Sequence, residues 1–357
     1  MSTFIQVHTL TSLPPSCVNR DDQGRPKSAI FGGVTRLRIS SQSQKRAWRT
    51  NASTVTLLGP LGSRTQRVGE QVYAALISDG VDEKKAVEVS REVAAVFGKP
   101  QKNGLLNEQL AFVDPVEMAS AVDAARLIVT GEKVALDDIV RKQVSVADIA
   151  LFGRMFADNP DRSLEAAASV AHAITTHKAA VEDDYYVACD DLKTAETDAG
   201  AGFIGEAGFG AGVFYGYANI NVDQLLSNLN GDEAAARRAV EALITGAATV
   251  QPAAKRSTFA HGSRASYAAV EVGEYAPRSL VSAFETPVDR VLREGEGLTE
   301  ASVRVLRDMR SRFASAYGEQ TEIVELNVPE GSGSLEALVA HGRSVFGDNV
   351  VQLQAAE

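Results

Sequence analysis

The residue types best suited to chemistry in this chain are the basic side chains of residues 14–49. The first fifty residues carry eight Lys and Arg and two Asp, a net charge of +6, whereas the whole chain carries −10 and the remainder therefore −16. Lys45 and Arg49 are four apart, so on a helix they share one face. A basic cluster on an acidic chain indicates one particular anionic ligand, and its spacing favours a phosphate backbone held by a loop, a strand and a helix start.

The helix start beside this cluster also suits phosphate. Residues 40–43 are Ser-Ser-Gln-Ser, and their side chains and free backbone N–H groups can donate to phosphate oxygens. Ser41 and Gln44 have the S-x-x-Q spacing of a capping box, which predicts a helix over about residues 43–57. The competing interpretation of the basic cluster is a solvated face without a ligand.

A second candidate is the glycine-rich stretch that ends near residue 212. Gly200, Gly202 and Gly205 form a G-x-G-x-x-G sequence, but an acidic segment precedes it and a strand pattern follows it, so it is not a dinucleotide site. Phe203 and Phe209 in the same stretch need an apolar partner. That partner can be an RNA base, a neighbouring subunit or the chain's own core.

Metal and nucleophile chemistry have little support in the sequence. His172 and His177 lie on opposite faces of a strand or about 140° apart on a helix, so they chelate one ion poorly. The other candidate ligands are the carboxylates Asp183, Asp184, Asp190 and Asp191. We expect these carboxylates to be solvated and the chain to hold no metal and no cofactor. The G-x-S-x-G, Walker and H-E-x-x-H motifs are absent, which removes the easily recognised enzyme classes but does not exclude an enzyme.

The overall composition is that of a folded protein in a reducing compartment. The 357 residues, 45% hydrophobic and 23% charged, allow two domains or one domain with a large insertion. Cys17 and Cys189 make no disulfide framework, which favours the cytoplasm. No apolar run approaches the ~20 residues that cross a bilayer, and the N-terminal stretch lacks the features of a secretory signal, so we expect no membrane partner.

Hydrophobic periodicity predicts an α+β protein. Strand patterns occur at residues 5–9, where Pro14-Pro15 is expected to end the strand, and again at 34–39, 168–177, 213–222, 256–272 and in TEIVELNV. Helices are predicted at about 232–249 and 299–317 and after GSGS at 331–334. Helix signals dominate residues 66–142, which indicates a helical subdomain inserted into an α/β core, and residues 182–212 resemble a loop.

Several long strings in this chain resemble one known family. They are SCVNRDD at 16–22, AIFGG at 29–33, RISSQSQKRAWR at 38–49, SVAHAITTH at 169–177 and GVFYGYANIN at 212–221. In this order they are similar to the CasC family, the backbone subunit of type I-E CRISPR Cascade, an RNA-guided surveillance complex of bacteria. The likeness runs from residue 2 to about residue 260, and it is only general in character over 66–142 and the last hundred residues.

The resemblance implies a hand-shaped subunit without catalytic activity. Its palm would be a modified RRM-like (ferredoxin-like) domain formed by residues 1–65, 143–181 and 213–357. Residues 66–142 would be the inserted helical fingers, and residues 182–212 a long thumb loop. RRM aromatics of the usual type are missing, so we do not expect the palm to stack bases on its sheet face.

The resemblance also implies partners for antiviral defence. Several copies would stack head-to-tail along one CRISPR guide RNA, each thumb displacing one base while the others pair with target DNA. Further partners would be the large, small and guide-end-capping Cascade subunits and, indirectly, the helicase-nuclease. By position, the implied RNA-binding residues are Asn19, Arg20, Lys27, Ser40, Gln42, Lys45, Arg46, Arg49, Met155 and Phe209, with Lys255 and Arg256 near a further basic patch. Met155 and Phe209 would wedge beside the displaced base.

Two other functions remain open on the sequence. The first is a metal-dependent ribonuclease of related fold, in which Asp21 or Asp22 would bind magnesium near a phosphate, although turn formation and pairing with Arg20 explain these residues as well. The second is an unrelated metabolic α/β enzyme with a deep apolar pocket that would purify without RNA.

Overall fold

A computed structural model describes residues 2–156, 160–189 and 203–347 of the chain. Its strands are β1 (Phe4–Ser16), β2 (Ser28–Phe31), β3 (Val34–Ile39), β4 (Ser63–Thr65), β5 (Ala111–Val113), β6 (Ala168–Val170), β7 (Ala173–Thr175), β8 (Glu182–Ala188), β9 (Phe203–Asn221), β10 (Ala265–Gly273) and β11 (Glu322–Asn327). Its α-helices are α1 (Ser41–Thr50), α2 (Ala52–Leu58), α3 (Val68–Ser78), α4 (Glu83–Ala94), α5 (Pro115–Val129), α6 (Ala147–Phe152), α7 (Val222–Asn228), α8 (Glu233–Thr249), α9 (Arg256–Phe259), α10 (Leu298–Tyr317) and α11 (Leu335–Arg343).

One antiparallel sheet organises the chain, with the strand order β11-β10-β1-β9-β7-β3-β2, and β6 and β8 also pair with β9. The central strand β1 pairs along most of its length with β10 on one side and β9 on the other. Alternate residues of β1 enter different cores: Ile5 and Val7 face one layer, and Leu10 faces the other. Both faces of β1 are buried, but its alternation is visible in the sequence because Gln6 and His8 on one face are polar and bond to Tyr217 and Tyr215.

Helices cover both faces of this sheet. On one face α8 packs with α1, α2, α6 and α11 around residues such as Trp48 and Ile244. On the other face α10 packs over Tyr215, Tyr267 and Phe284. Both faces therefore belong to the hydrophobic core, and a large ligand must bind at loops, helix ends or sheet edges.

A separate helical unit lies between β3 and β6 in the chain. Helices α3, α4 and α5 pack around their own core, which includes Val72, Val89 and Ala125. Asp114 accepts a hydrogen bond from Val116 N at 2.8 Å and forms a capping box with Glu117, which fixes the start of α5. The helices predicted within 66–142 are thus present, and the assignment of this unit as fingers stays a prediction.

Several local predictions were wrong. The strand predicted over 256–272 begins only at Ala265, after the one-turn helix α9. The S-x-x-Q motif does not cap α1: Ser40 is the N-cap and accepts from Ser43 N, while the side chain of Gln44 donates to the carbonyl of Ala171. The helix predicted over 43–57 breaks at Asn51, whose side chain accepts from Ser53 N and so begins α2. Pro14-Pro15 does not end β1, because an irregularity in its pairing with β9 accommodates both prolines before Ser16.

The segment predicted as a loop over 182–212 is also different in its described parts. Strand β8 pairs with residues 203–209 of β9, from Glu182 opposite Phe209 to Ala188 opposite Phe203. These two strands form a β-ribbon that extends beyond the sheet. Backbone hydrogen bonds between distant residues hold it, and the sequence pattern does not show them. Gly200, Gly202, Asp190 and Asp191 lie outside the described residues.

No helix in the described part of the chain is long and apolar enough to cross a membrane.

Candidate nucleic-acid interface

A groove of about 740 Å³ lies between the loop after β1, helix α1 and the segment that follows α8. Three arginines from these three elements line it, Arg20, Arg46 and Arg256, together with Asn19 and Ser43. Within the described ranges, none of the three guanidinium groups forms an ion pair. The sequence separation between Arg46 and Arg256 shows that the fold, and not a linear motif, assembles this cationic groove.

The loop of residues 19–27 is held in shape by its own hydrogen bonds. Asp21 accepts from the backbone N–H groups of Gln23 at 3.0 Å and Arg25 at 2.9 Å, and Lys27 N donates to Asn19 O at 2.9 Å. Asp21 therefore has the turn-forming role that the sequence allowed for it. Arg25 pairs with Asp183 of β8 at 2.8 Å, which joins this loop to the base of the ribbon.

Asn19 and Ser40 join the loop after β1 to the start of α1, the two elements that form adjacent walls of the groove. Asn19 Oδ1 accepts from Ser40 N at 2.8 Å, and Ser40 Oγ caps α1 through Ser43 N at 3.3 Å. Both side chains are thus used in fixing the loop against the helix start. Gln42, one residue into the same turn, is exposed and available to a ligand.

Helix α1 carries its basic residues on two different faces. Arg46 lines the groove, whereas Lys45 and Arg49 lie on the side of Arg64 of β4. Burial, and then the nearby charge of Arg64, lower the pKa of Lys45. The guanidinium of Arg49 lies 4.9 Å from the centre of the Phe112 ring, and that of Arg64 lies 5.0 Å from it. The predicted basic helix start is therefore split into a groove side and a side that faces the helical unit.

Arg49 is also engaged with a buried carboxylate. Its Nε lies 3.7 Å from Oδ2 of Asp148, whose side chain is fully buried. Burial raises the pKa of Asp148, although hydrogen bonds from Gly62 N and Ile149 N and the charge of Arg49 oppose this. The structure gives Arg49 a partner in α6, and its predicted contact with phosphate stays a prediction.

Lys27 belongs to a second basic patch beside the groove. Arg38 Nη1 donates to His172 Nδ1 at 2.8 Å, and burial followed by the charges of Arg38 and Lys27 lowers the pKa of His172 below its usual 6.5. His172 is therefore neutral at pH 7.

The two histidines considered as metal ligands have separate partners, because His177 accepts from Val213 N through Nε2 at 3.1 Å. In residues 2–156, 160–189 and 203–347 no three His, Cys, Asp or Glu side chains form a metal-binding group.

Lys255 and Arg256 belong to the segment that follows α8, and Arg256 lines the groove. Arg256 begins the one-turn helix α9, and Lys255 precedes it with a left-handed backbone, φ 56°. Burial raises the pKa of the Cys17 thiol under this region, and the positive charges of Arg20 and Lys255 oppose that rise. Cys17 therefore lies within the electrostatic influence of cations from both segments.

Met155 and Phe209 do not line this groove. Met155 is 80% exposed and stands at the rim of a separate pocket of about 350 Å³ formed with residues that include Phe97 and Leu110. Phe209 is half-buried, and its ring centre lies 6.2 Å from that of Phe259. Phe203, at the far end of the paired ribbon, is 57% exposed. Whether Met155 and Phe209 contact one displaced base stays a prediction.

Sequence reasoning missed two residues at this interface. Arg64 of β4 lies near Lys45 and Arg49, and the Phe259 ring of α9 lies tilted beside the Phe209 ring. Neither has a motif around it, because each reaches its neighbours through the tertiary fold.

The chain belongs to the family described as CT1975-like protein, whose match extends over residues 5–343. Its fold is similar to that of a chain in a structure titled "CRISPR RNA-guided surveillance complex, pre-nicking", with 28% identity, a TM-score of 0.80, and coverage of 95% of this chain and 100% of the other. It is also similar to a chain in a "CRISPR RNA-guided surveillance complex", with 25% identity, a TM-score of 0.70 and 94% of each chain covered. No curated protein matches the sequence.

These findings confirm the expected likeness to subunits of CRISPR surveillance complexes and the expected α+β fold. The assignment to type I-E stays a prediction.

Proposed function

We propose that this chain binds a CRISPR guide RNA along its phosphate backbone as a repeated, non-catalytic subunit of a Cascade complex of type I-E. The observation that carries the proposal is the groove in which Arg20, Arg46 and Arg256 converge without an ion-pair partner among the described residues. Arginine binds phosphate groups in bidentate geometry and keeps its charge at any physiological pH. The similarity of this chain to chains of two RNA-guided surveillance complexes supports the same ligand.

Contacts of this kind carry no sequence information. Phosphate contacts position a nucleic acid, and base edges specify it, so a groove of guanidinium groups accepts a guide of any sequence. The guide itself would then select the target DNA through base pairing. No metal or cofactor enters this function, and Asp21, the candidate ligand of a ribonuclease site, is already used in the turn of residues 21–25.

We further propose that the palm is a modified RRM-like domain. The strands β10, β1, β9 and β7 lie in this spatial order, α1 lies between β1 and β7 in the chain, and α8 lies between β9 and β10, which matches a ferredoxin-like β-α-β-β-α-β unit with β2 and β3 inserted before α1. An ordinary RRM stacks bases on an open sheet face. Since α10 covers that face here, the RNA is proposed to follow the groove at the ends of α1 and α9.

Assembly is proposed to be head-to-tail along the guide, in the bacterial cytoplasm. A heterologous interface repeats without closing, so copies of one chain can follow an RNA until other Cascade subunits cap its ends. The ribbon of β8 and β9 would act as the thumb, and Met155 and Phe209 would hold a displaced base between neighbouring copies. The helicase-nuclease would join the complex through the other subunits.

Salt titration of RNA binding tests the phosphate groove. We expect full-length protein to bind single-stranded RNAs of different sequence equally, with log K falling against log salt by about 0.7 per phosphate contacted. The triple variant Arg20→Ala, Arg46→Ala and Arg256→Ala should lower affinity and flatten this slope by about 2. Arg312→Ala is the matched control, because Arg312 is an exposed arginine on α10, the helix that covers the opposite face of the sheet. A salt-independent affinity, or an equal loss in the control, would contradict the proposal.

A further inference from the structure

The segment of residues 254–261 holds an unusual backbone beside the groove. Helix α9 is a single turn, and the residues on either side of it, Lys255 and Ala260, are both left-handed, with φ 56° and 48°. Residues with a Cβ adopt this conformation rarely, and it persists only where the surrounding structure enforces it. Such strained turns cluster at ligand-binding positions, which makes this segment a candidate.

A buried histidine enforces this conformation. The side chain of His261 is 1% exposed, and its Nε2 makes a 3.0 Å hydrogen bond with Ala254 O, which closes the segment into a loop. Its Nδ1 has no hydrogen-bond partner within the part of the chain that the structure describes. Inside the loop, Ala260 N donates to Arg256 O at 2.8 Å. The loop is therefore held by its own hydrogen bonds, and His261 joins its two ends.

The loop presents an aromatic ring and a cation on the same side. Arg256 and Phe259 are three apart on one helical turn, so their side chains project in similar directions. Arg256 lines the cationic groove, and the Phe259 ring lies 6.2 Å from the Phe209 ring at an interplanar angle of 42°. Both rings are half-buried, so each keeps an accessible part.

We propose that Phe259 and Phe209 form one stacking platform for a nucleobase at the edge of the groove, while Arg256 binds the adjacent phosphate. This inference rests on the proposed RNA-binding function and adds Phe259, its loop and His261 to the interface. A nucleotide matches the site because it combines a flat π face with a negative phosphate. An apolar protein surface would leave the charges of Lys255 and Arg256 without partners.

Substitution of Phe259 separates stacking from packing. Base stacking on an aromatic side chain is lost on truncation to alanine, so Phe259→Ala should weaken binding of single-stranded RNA about 5- to 140-fold. Phe259→Leu keeps apolar volume without a π face and should lose most of the same affinity, whereas Phe259→Trp should retain it. The salt slope should stay at the wild-type value in all three variants, because no phosphate contact is removed.

The control is Phe313→Ala, since Phe313 is a half-buried ring on α10 that stacks with Tyr317 at 5.8 Å, away from the groove. It should bind RNA as the wild type does. Wild-type affinity in Phe259→Leu, or an equal loss in Phe313→Ala, would overturn the platform and leave the phosphate groove standing. A wild-type protein that binds no RNA would overturn the proposed function itself. If Phe259→Ala fails to fold, the leucine and tryptophan variants still decide between the outcomes.

Discussion

Replacing Arg49 by alanine tests whether its guanidinium serves the fold. The Asp148 carboxylate is fully buried and lies 3.7 Å from Arg49 Nε. Two unit charges at this separation attract by about 4.5 kcal/mol at an effective dielectric constant of about 20, and desolvation offsets part of this. Removal of one partner from a buried pair costs about 3–5 kcal/mol. Because the side chain of Arg49 is 17% exposed, we expect the lower end, a loss of about 3 kcal/mol in the free energy of unfolding.

Urea denaturation followed by circular dichroism measures this loss. Arg46→Ala is the matched control, because Arg46 is an exposed arginine on the same helix and should change the free energy of unfolding by no more than about 0.5 kcal/mol. The double variant Arg49→Ala with Asp148→Asn should recover much of the stability, since it leaves no unpaired charge. Unchanged stability in Arg49→Ala, together with RNA affinity lowered as in Arg46→Ala, would refute the structural role.

The loss of stability in Arg49→Ala should depend on pH in a definite direction. Burial raises the pKa of Asp148 above its value in the unfolded chain. The protonated carboxyl therefore contributes fully to the free energy of unfolding below about pH 3.9, and this contribution is lost as the pH rises through the folded-state pKa. Arg49 lowers that pKa, and its removal raises it further. The deficit of Arg49→Ala relative to the wild type should therefore be largest at pH 7 and shrink on acidification. A deficit that grows as the pH falls would contradict this.

Three further predictions concern single positions. Gly32 has φ 59°, and a Cβ there would lie 1.8 Å from Glu285 O, so Gly32→Ala should lower the free energy of unfolding by more than about 1 kcal/mol in urea denaturation. Ala260→Gly should raise it by about 1 kcal/mol by relieving a left-handed alanine, and a destabilised variant would contradict the strain argument. When RNA is incubated with magnesium, the wild-type protein and Asp22→Ala should both leave it intact. If the wild type cleaves the RNA and Asp22→Ala does not, the result favours the ribonuclease.

The sheet and most helices follow from periodicity because their residues are buried on a regular face. Helix α8 is such a case, because its less buried residues recur at helical spacing. Strand β9 is buried on both faces from Val213 to Ala218, and its aromatic and β-branched composition predicts it. The β8–β9 ribbon is different, because it extends beyond the core and its glycine-rich strand buries little. Backbone pairing between residues such as Glu182 and Phe209 holds it, and such pairing has no signature in composition.

The site was predictable only where its residues are close in sequence. Arg20 and Arg46 fall in one basic segment, and charge alone identified them. Arg256 enters the groove from the segment after α8, and the sequence connected it only through a resemblance. Conversely, charge and the resemblance pointed to Arg49 as a phosphate ligand, but neither could show its neighbour Asp148, which is far along the chain and buried by the fold.

Helices cover both faces of the central sheet, and this explains why the cations and the aromatic rings proposed to bind RNA lie on different elements. With α10 on one face and α8 on the other, the central strands β10, β1 and β9 from Val213 onwards offer no flat surface to a base. Stacking must then come from side chains outside this covered part of the sheet, and a ring on a loop needs a fixed backbone, which the hydrogen bond between His261 and Ala254 gives the loop of Phe259. Phosphate contacts and stacking consequently differ in their salt response. Loss of Arg46 should change the slope of affinity against salt, whereas loss of Phe259 should lower affinity at constant slope.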